Sequence, residues 1–151
     1  ELFKDYYVQK SMLSNLKSNN KALNVIGSIF MQEQGFDAGI LVNDDKEVVE
    51  FLNGNVFVVD NGILRTPPLS SGCLEGIMRK QLMRLAKKQG ISCVEAKISP
   101  FDLQQVQEVF MTNSITGIQS VSTYRRTDYQ NTIALQLQRA LNEAVNSTLE
   151  T

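Results

Sequence analysis

The segment Thr66-Pro67-Pro68-Leu69-Ser70-Ser71-Gly72-Cys73-Leu74-Glu75-Gly76-Ile77-Met78-Arg79 restricts the fold more than any other part of the chain. Two consecutive prolines cannot donate to a strand ladder, so the strand before them ends at Thr66. A loop of small residues follows, and a helix opens at Glu75-Gly76-Ile77. A strand, a short loop and a helix in that order aim free N–H groups and the positive helix end at whatever occupies the loop. That is a cradle for a phosphate. An ordinary capped helix is the plainer reading, and Ser70 or Ser71 would serve it equally well.

Composition bounds the chemistry around this cradle. A chain of 151 residues is expected to form one domain with a core large enough to stand alone. Its hydrophobic content of 42% and charged content of 21% are ordinary for a globular protein. A formal net charge of −1 makes no electrostatic case for nucleic acid or an anionic membrane, and no apolar run approaches membrane-spanning length. There is no histidine, which removes Ser-His-Asp and Cys-His catalysis. With only Cys73 and Cys93 besides, no zinc site is credible, and no metal is expected. Acid–base work falls to Lys, Glu, Asp or Tyr. The two cysteines read as reduced thiols of a cytoplasmic protein.

Periodicity and turn chemistry give an alternating course. Ser18 or Asn19 is expected to cap a helix with apolar Leu23, Ile26, Ile29 and Phe30, ending near Gly35. Strands are predicted over 37–43, 47–52, 55–60 and 63–66, the last two joined by an Asn61-Gly62 hairpin turn. A helix over 75–89 turns Ile77, Leu82, Leu85 and Ala86 inward and Lys80, Arg84, Lys87 and Lys88 outward, and Gly90 stops it. A strand over 91–98, a short helix after Ser99-Pro100, a strand over 109–112, a turn at 114–117 and a strand over 118–124 follow. A closing helix starts at Asp128, with Ile133, Leu137, Leu141 and Ala144-Val145 along one face.

Three residues outside the cradle have matching chemistry. Lys17 heads Lys17-Ser18-Asn19-Asn20 just before a helix, and a lysine amine becomes a nucleophile and base when desolvation or a nearby cation lowers its pKa. By residue type alone it would be a solvated surface lysine, and Lys21 is its nearby competitor. Glu50 closes the run Lys46-Glu47-Val48-Val49-Glu50. Strand alternation sends Glu47 and Glu50 to opposite faces, so that only one faces water, and Glu47 is expected to be that one. Ser114 lies in Thr112-Asn113-Ser114-Ile115-Thr116-Gly117, a second turn able to meet an anion.

In this order, Lys17, Glu50 ahead of Asn55-Val56-Phe57, the Pro67–Arg79 segment and Ser114 make a chain that resembles the class IV aminotransferases, the fold-type-IV enzymes that use pyridoxal 5′-phosphate (PLP). The resemblance runs from about Lys17 to Val121. It implies an α/β fold: the large C-terminal domain of such an enzyme, a mixed sheet or pseudo-barrel with flanking helices. Glu1–Ser14 reads as the tail of something earlier, so residues 1–16 are expected to end the segment leading from a smaller N-terminal domain, and 17–151 to be the PLP-binding domain. The resemblance assigns Lys17 as the Schiff-base lysine and Glu50 as the partner of the pyridine nitrogen. Leu74 would pack on the cofactor ring, Gly76 would allow close approach, and Ile77 and Met78 would offer amides to the phosphate. Ser114 would meet phosphate and, with Ile115, the substrate carboxylate.

The specific reaction is expected to follow from departures. Many transaminases of the family have threonine where Met78 stands, and methionine there resembles aminodeoxychorismate lyases. Branched-chain transaminases carry a tyrosine shortly after the lysine, and Lys21-Ala22-Leu23 offers none. The resemblance therefore leans to a lyase forming p-aminobenzoate and pyruvate. A D-amino-acid or branched-chain transaminase and a non-catalytic truncated module are the alternatives. Family membership also implies a small amino substrate, a homodimer and an N-terminal domain of the same enzyme as partners.

Overall fold

The structure is a computed structural model and describes residues 1–19 and 21–149. Asn20, in the run that follows Lys17, lies outside the described residues. Among the described residues, ten strands and three α-helices form in the order β1 (Leu2–Val8), α1 (Ala22–Glu33), β2 (Ile40–Asn43), β3 (Val48–Phe51), β4 (Asn55–Asp60), β5 (Ile63–Thr66), α2 (Ile77–Lys88), β6 (Cys93–Glu95), β7 (Glu108–Asn113), β8 (Gly117–Ser120), β9 (Thr123–Tyr124), β10 (Thr127–Asp128) and α3 (Thr132–Leu149). Short 3-10 turns lie at Met12–Asn15, Leu69–Ser71 and Asp102–Gln104.

The strands make a three-stranded sheet in the order β1-β2-β3 and a five-stranded sheet in the order β6-β5-β4-β7-β8, with β9 and β10 as a separate pair. Two neighbouring pairs are parallel, β1 with β2 and β5 with β6. Parallel neighbours need a crossover, and each crossover carries a helix. The first is α1. The second is the proline loop followed by α2, so the phosphate-cradle segment is the connection between two adjacent strands.

Alternation along β4 shows why both faces of the larger sheet are covered. Val56 and Val58 join Val42, Val48, Phe51, Val109 and Met111 in one core. Phe57 and Val59 point the other way, onto Leu82 and Ala86 of α2 and Ala134 and Leu137 of α3. Phe57 sits opposite Phe110 of β7, and their rings stack at 5.4 Å. A third cluster, Phe3, Met31, Leu41 and Leu52, lies under α1. Residues 2–8, placed by sequence in the leading segment, thus contribute a strand and a core side chain.

Three expectations need correction. Helix α1 is entered through Lys21 with no side-chain cap, not through Ser18 or Asn19. Its buried positions are Gly27 and Met31, whereas Ile26, Ile29 and Phe30 are exposed. A Cβ on Gly27 would lie 2.7 Å from Leu52, so this helix seats its bare side on the sheet. The closing helix begins at Thr132, because Thr127–Asp128 pairs with Thr123–Tyr124 instead. The Ile133 and Ala134 N–H groups at its start donate to the buried Glu108 carboxylate, a cap from 25 residues upstream.

Candidate active site

One cleft of about 380 Å³ gathers Lys17, Glu50, Leu74, Gly76, Ile77, Met78, Ser114 and Ile115. These are all eight positions singled out from sequence, drawn from four separate stretches of chain. Lys21, Asn24, Asn55, Thr112 and Asn113 also line it. Lys17 is exposed, on the short segment between the Met12–Asn15 turn and α1. Among the described residues its ammonium makes no ion pair.

Glu50 lies within β3 and is only 9% exposed. Its Oε2 accepts the Leu74 N–H at 2.8 Å. Burial pushes the carboxyl up to about 7, against the opposing pulls of that N–H and of the Lys21 charge. A buried acid poised near neutrality at the side of a cleft is suited to a cationic ring nitrogen, which would restore its ionised form.

Glu47 does not face water as expected. Its side chain is 14% exposed, and Oε2 accepts hydrogen bonds from the Asn43 Nδ2 and the Ser71 hydroxyl, both at 3.0 Å. Oε1 pairs with the Lys97 ammonium at 2.5 Å. Those partners hold its carboxyl below the usual range, the Lys97 bond most of all. Glu47 immediately precedes β3, outside regular alternation, and it ties the sheet to the cradle loop.

Around Leu74 the loop is clamped on both sides. Glu50 takes its N–H, and Asn55 Nδ2 donates to its carbonyl at 2.8 Å. A Cβ on Gly76 would stand 2.1 Å from Asn55 Oδ1. Glycine is therefore required there by an asparagine, a reason separate from any approach to phosphate. Helix α2 opens at Ile77 with Gly76 in extended conformation at its cap and no side chain across its first amides. Gly76, Ile77 and Met78 line the cleft, and the first amides of a helix have no intrahelical partner. Arg79 is buried, donates to the Pro67 carbonyl at 2.9 Å and pairs with Glu95, bracing the loop from behind. Ile77, expected inward, is exposed in the cleft mouth.

The second turn is closed by its own asparagine. Asn113 Oδ1 accepts the N–H groups of Ile115 at 2.9 Å and Thr116 at 2.8 Å. The amides after Ser114 are thus engaged within the turn, and Ser114 itself lines the cleft. Ile115 is 94% exposed at the rim.

A buried acid on one side, an open helix N-terminus on another, an apolar Leu74 between them and an amine at the rim form a donor set that fits a phosphorylated pyridine aldehyde. The fold is that of the fold-type-IV PLP enzymes. Residues 4–124 match the model of "Amino-transferase class IV", and the chain belongs to that family, whose cofactor is PLP. A Methanocaldococcus jannaschii protein with the provisional name branched-chain-amino-acid aminotransferase is 37% identical over 102 residues, 65% of this chain and 35% of its own length. A Legionella pneumophila crystal structure with the provisional name 4-amino-4-deoxychorismate lyase superposes with a TM-score of 0.88 at 27% identity, covering 94% of this chain and 54% of that one. A Brucella abortus aminotransferase bound to PLP shares the fold, with a TM-score of 0.82 at 18% identity over 94% of this chain and 52% of its own. The chain spans about a third of the curated relative and about half of each solved structure.

Proposed function

We infer that this chain supplies the cofactor-binding part of a PLP-dependent enzyme acting on a small amino substrate. The observation that carries this reading is Glu50: a buried carboxylate, open to the cleft, whose one hydrogen bond among the described residues comes from the loop opposite. PLP, when bound, supplies an aldehyde carbon for the substrate amine and a pyridinium ring that accepts electron density from the reacting carbon. Lys17, which lines the cleft, would hold the cofactor through its Nζ and would be the amine able to move a proton at that atom. Glu50 would keep a proton at the ring nitrogen. The start of α2, with Ser114, would receive the phosphate. Leu74 and Ile77 would offer an apolar wall to the ring.

Within the family we favour aminodeoxychorismate lyase chemistry. Met78 in place of a threonine hydroxyl and the missing tyrosine after Lys17 support it, as does the likeness to the Legionella structure. An amino-acid transaminase is the second reading, favoured by the Methanocaldococcus relative. In the enzyme completed by the proposed N-terminal domain, incubation with PLP and aminodeoxychorismate should release p-aminobenzoate and pyruvate in equal amounts. Transfer of an amino group from a branched-chain or D-amino acid to 2-oxoglutarate, without p-aminobenzoate, would replace the lyase reading with the transaminase one. We also propose a homodimer completed by an N-terminal domain, supported by the exposed Val25, Ile26, Ile29 and Phe30 on α1.

A further inference from the structure

Asn15 closes the Met12–Asn15 turn, two residues ahead of Lys17. Its Nδ2 donates to the Leu69 carbonyl at 2.9 Å and to the Cys73 carbonyl at 2.7 Å. Its own carbonyl accepts the Glu75 N–H at 3.1 Å. Three bonds from one residue thus span the cradle loop from its first turn to the threshold of α2. Met12, Leu13 and Leu16 are all exposed and add no buried apolar anchor to these bonds, although Val8, Gln9 and Lys10 pass beside Gly72.

The chemistry of the side chain fits this task narrowly. A primary amide offers two N–H donors from one nitrogen, enough for two loop carbonyls four residues apart, of which that of Leu69 also accepts the Gly72 N–H at 3.0 Å. Ser71, Gly72 and Cys73 are buried, so a carbonyl deprived of its donor here has little water to turn to. Aspartate has nearly the same shape but would set acceptors against acceptors. Serine would keep one donor.

We propose that Asn15 is a positioning residue that fixes Lys17 relative to the phosphate loop, so that cofactor seated at α2 meets the lysine in register. This rests on the reading of Lys17 as the covalent anchor. Asn15 touches neither cofactor nor substrate. Its effect passes through the loop carbonyls and the two peptide units that separate it from Lys17.

The test uses ligand-free protein, PLP as the probe and the variants Asn15→Ala, Asn15→Asp and Asn15→Ser. Hydrogen exchange over 69–75 without PLP reads the clamp itself. Fluorescence titration with PLP reads total binding, and borohydride fixation followed by peptide mass analysis reads the share captured at Lys17. Asn15→Ala should speed loop exchange and cut the rate of capture at Lys17 by about tenfold, while total binding falls about threefold or less. Asn15→Asp should be at least as impaired, and Asn15→Ser intermediate, which keeps the proposal open to test where the alanine variant folds poorly. Capture at the wild-type rate in Asn15→Ala, or equal losses of binding and capture, would overturn the positioning role. Wild-type protein that binds PLP without capture at Lys17 would instead overturn the anchor assignment, and loop exchange in the variants would still report whether the clamp exists.

Discussion

Asn55 Oδ1 occupies the space beside Gly76 where any other residue would carry its Cβ, at 2.1 Å. The same asparagine donates to the Leu74 carbonyl, so strand β4, the loop and the start of α2 meet at one amide. Gly76→Ala must therefore push Asn55 away and free the Leu74 carbonyl. We expect a loss of about 2 kcal/mol in unfolding free energy from overpacking and the broken bond. Chemical denaturation should register it, and an unchanged midpoint would mean that the asparagine moves at no cost.

Lys17→Ala should abolish borohydride fixation of PLP and lower turnover by several orders of magnitude, with noncovalent PLP binding retained. Lys21→Ala is the informative companion. It lines the same cleft but should leave fixation intact. Peptide mass analysis of the reduced protein separates the two, and label on residue 21 would exchange their roles.

The Glu50 carboxyl gives the ligand-free protein a distinctive pH dependence. Its folded value of about 7 lies above the ordinary 4.5, so the native state keeps a proton that the unfolded chain releases between those values. Its contribution is complete below pH 4.5 and lost as pH rises through 7, a difference on the order of 3 kcal/mol. Glu50→Gln should flatten that slope in thermal melts and reduce turnover more than PLP affinity, since an amide does not favour a pyridinium. Parallel pH profiles for the two proteins would show that another group titrates.

Glu47 should behave in the opposite sense. Its carboxyl is held low, so its stabilisation is present above its ordinary value and is lost as pH falls through the folded one. Glu47→Gln removes the Lys97 pair, whose lysine is 68% exposed, and should cost less than about 1 kcal/mol. Glu47→Ala also takes the acceptor from the Ser71 hydroxyl and one of two from the Asn43 amide, which keeps the Ser71 carbonyl, and should cost about 2 kcal/mol, read by denaturation.

What could be read from sequence was local. Strands β4 and β5 have the expected bounds, because Asn61 and Gly62 both adopt positive φ, 49° and 77°, in the turn between them. The cleft residues lie in short motifs whose order survives without knowledge of packing. What escaped was polar and distant. Asn15 reaches carbonyls 54 and 58 residues away, Asn55 one 19 away, and Glu47 a hydroxyl 24 away. A lone asparagine or glutamate has no periodicity to announce it. The faces of α1 and the start of α3 were misplaced for a related reason: Leu52 and the Glu108 carboxylate decide them, and both belong to other elements.

The pairing of β4 with β7 has a consequence for how the molecule comes to exist. β4 and β5 can zip through a two-residue turn, but Asn55 meets Thr112 and Val59 meets Glu108 only after some fifty intervening residues have been gathered in. Loop-closure entropy makes such a union slow and late relative to a hairpin. The asparagine that shapes the cradle and the threonine-led turn across from it sit at the same end of that pair. A nascent chain therefore holds the cradle's sequence well before it holds the cradle, and its cofactor has nothing to bind until the two distant strands have joined.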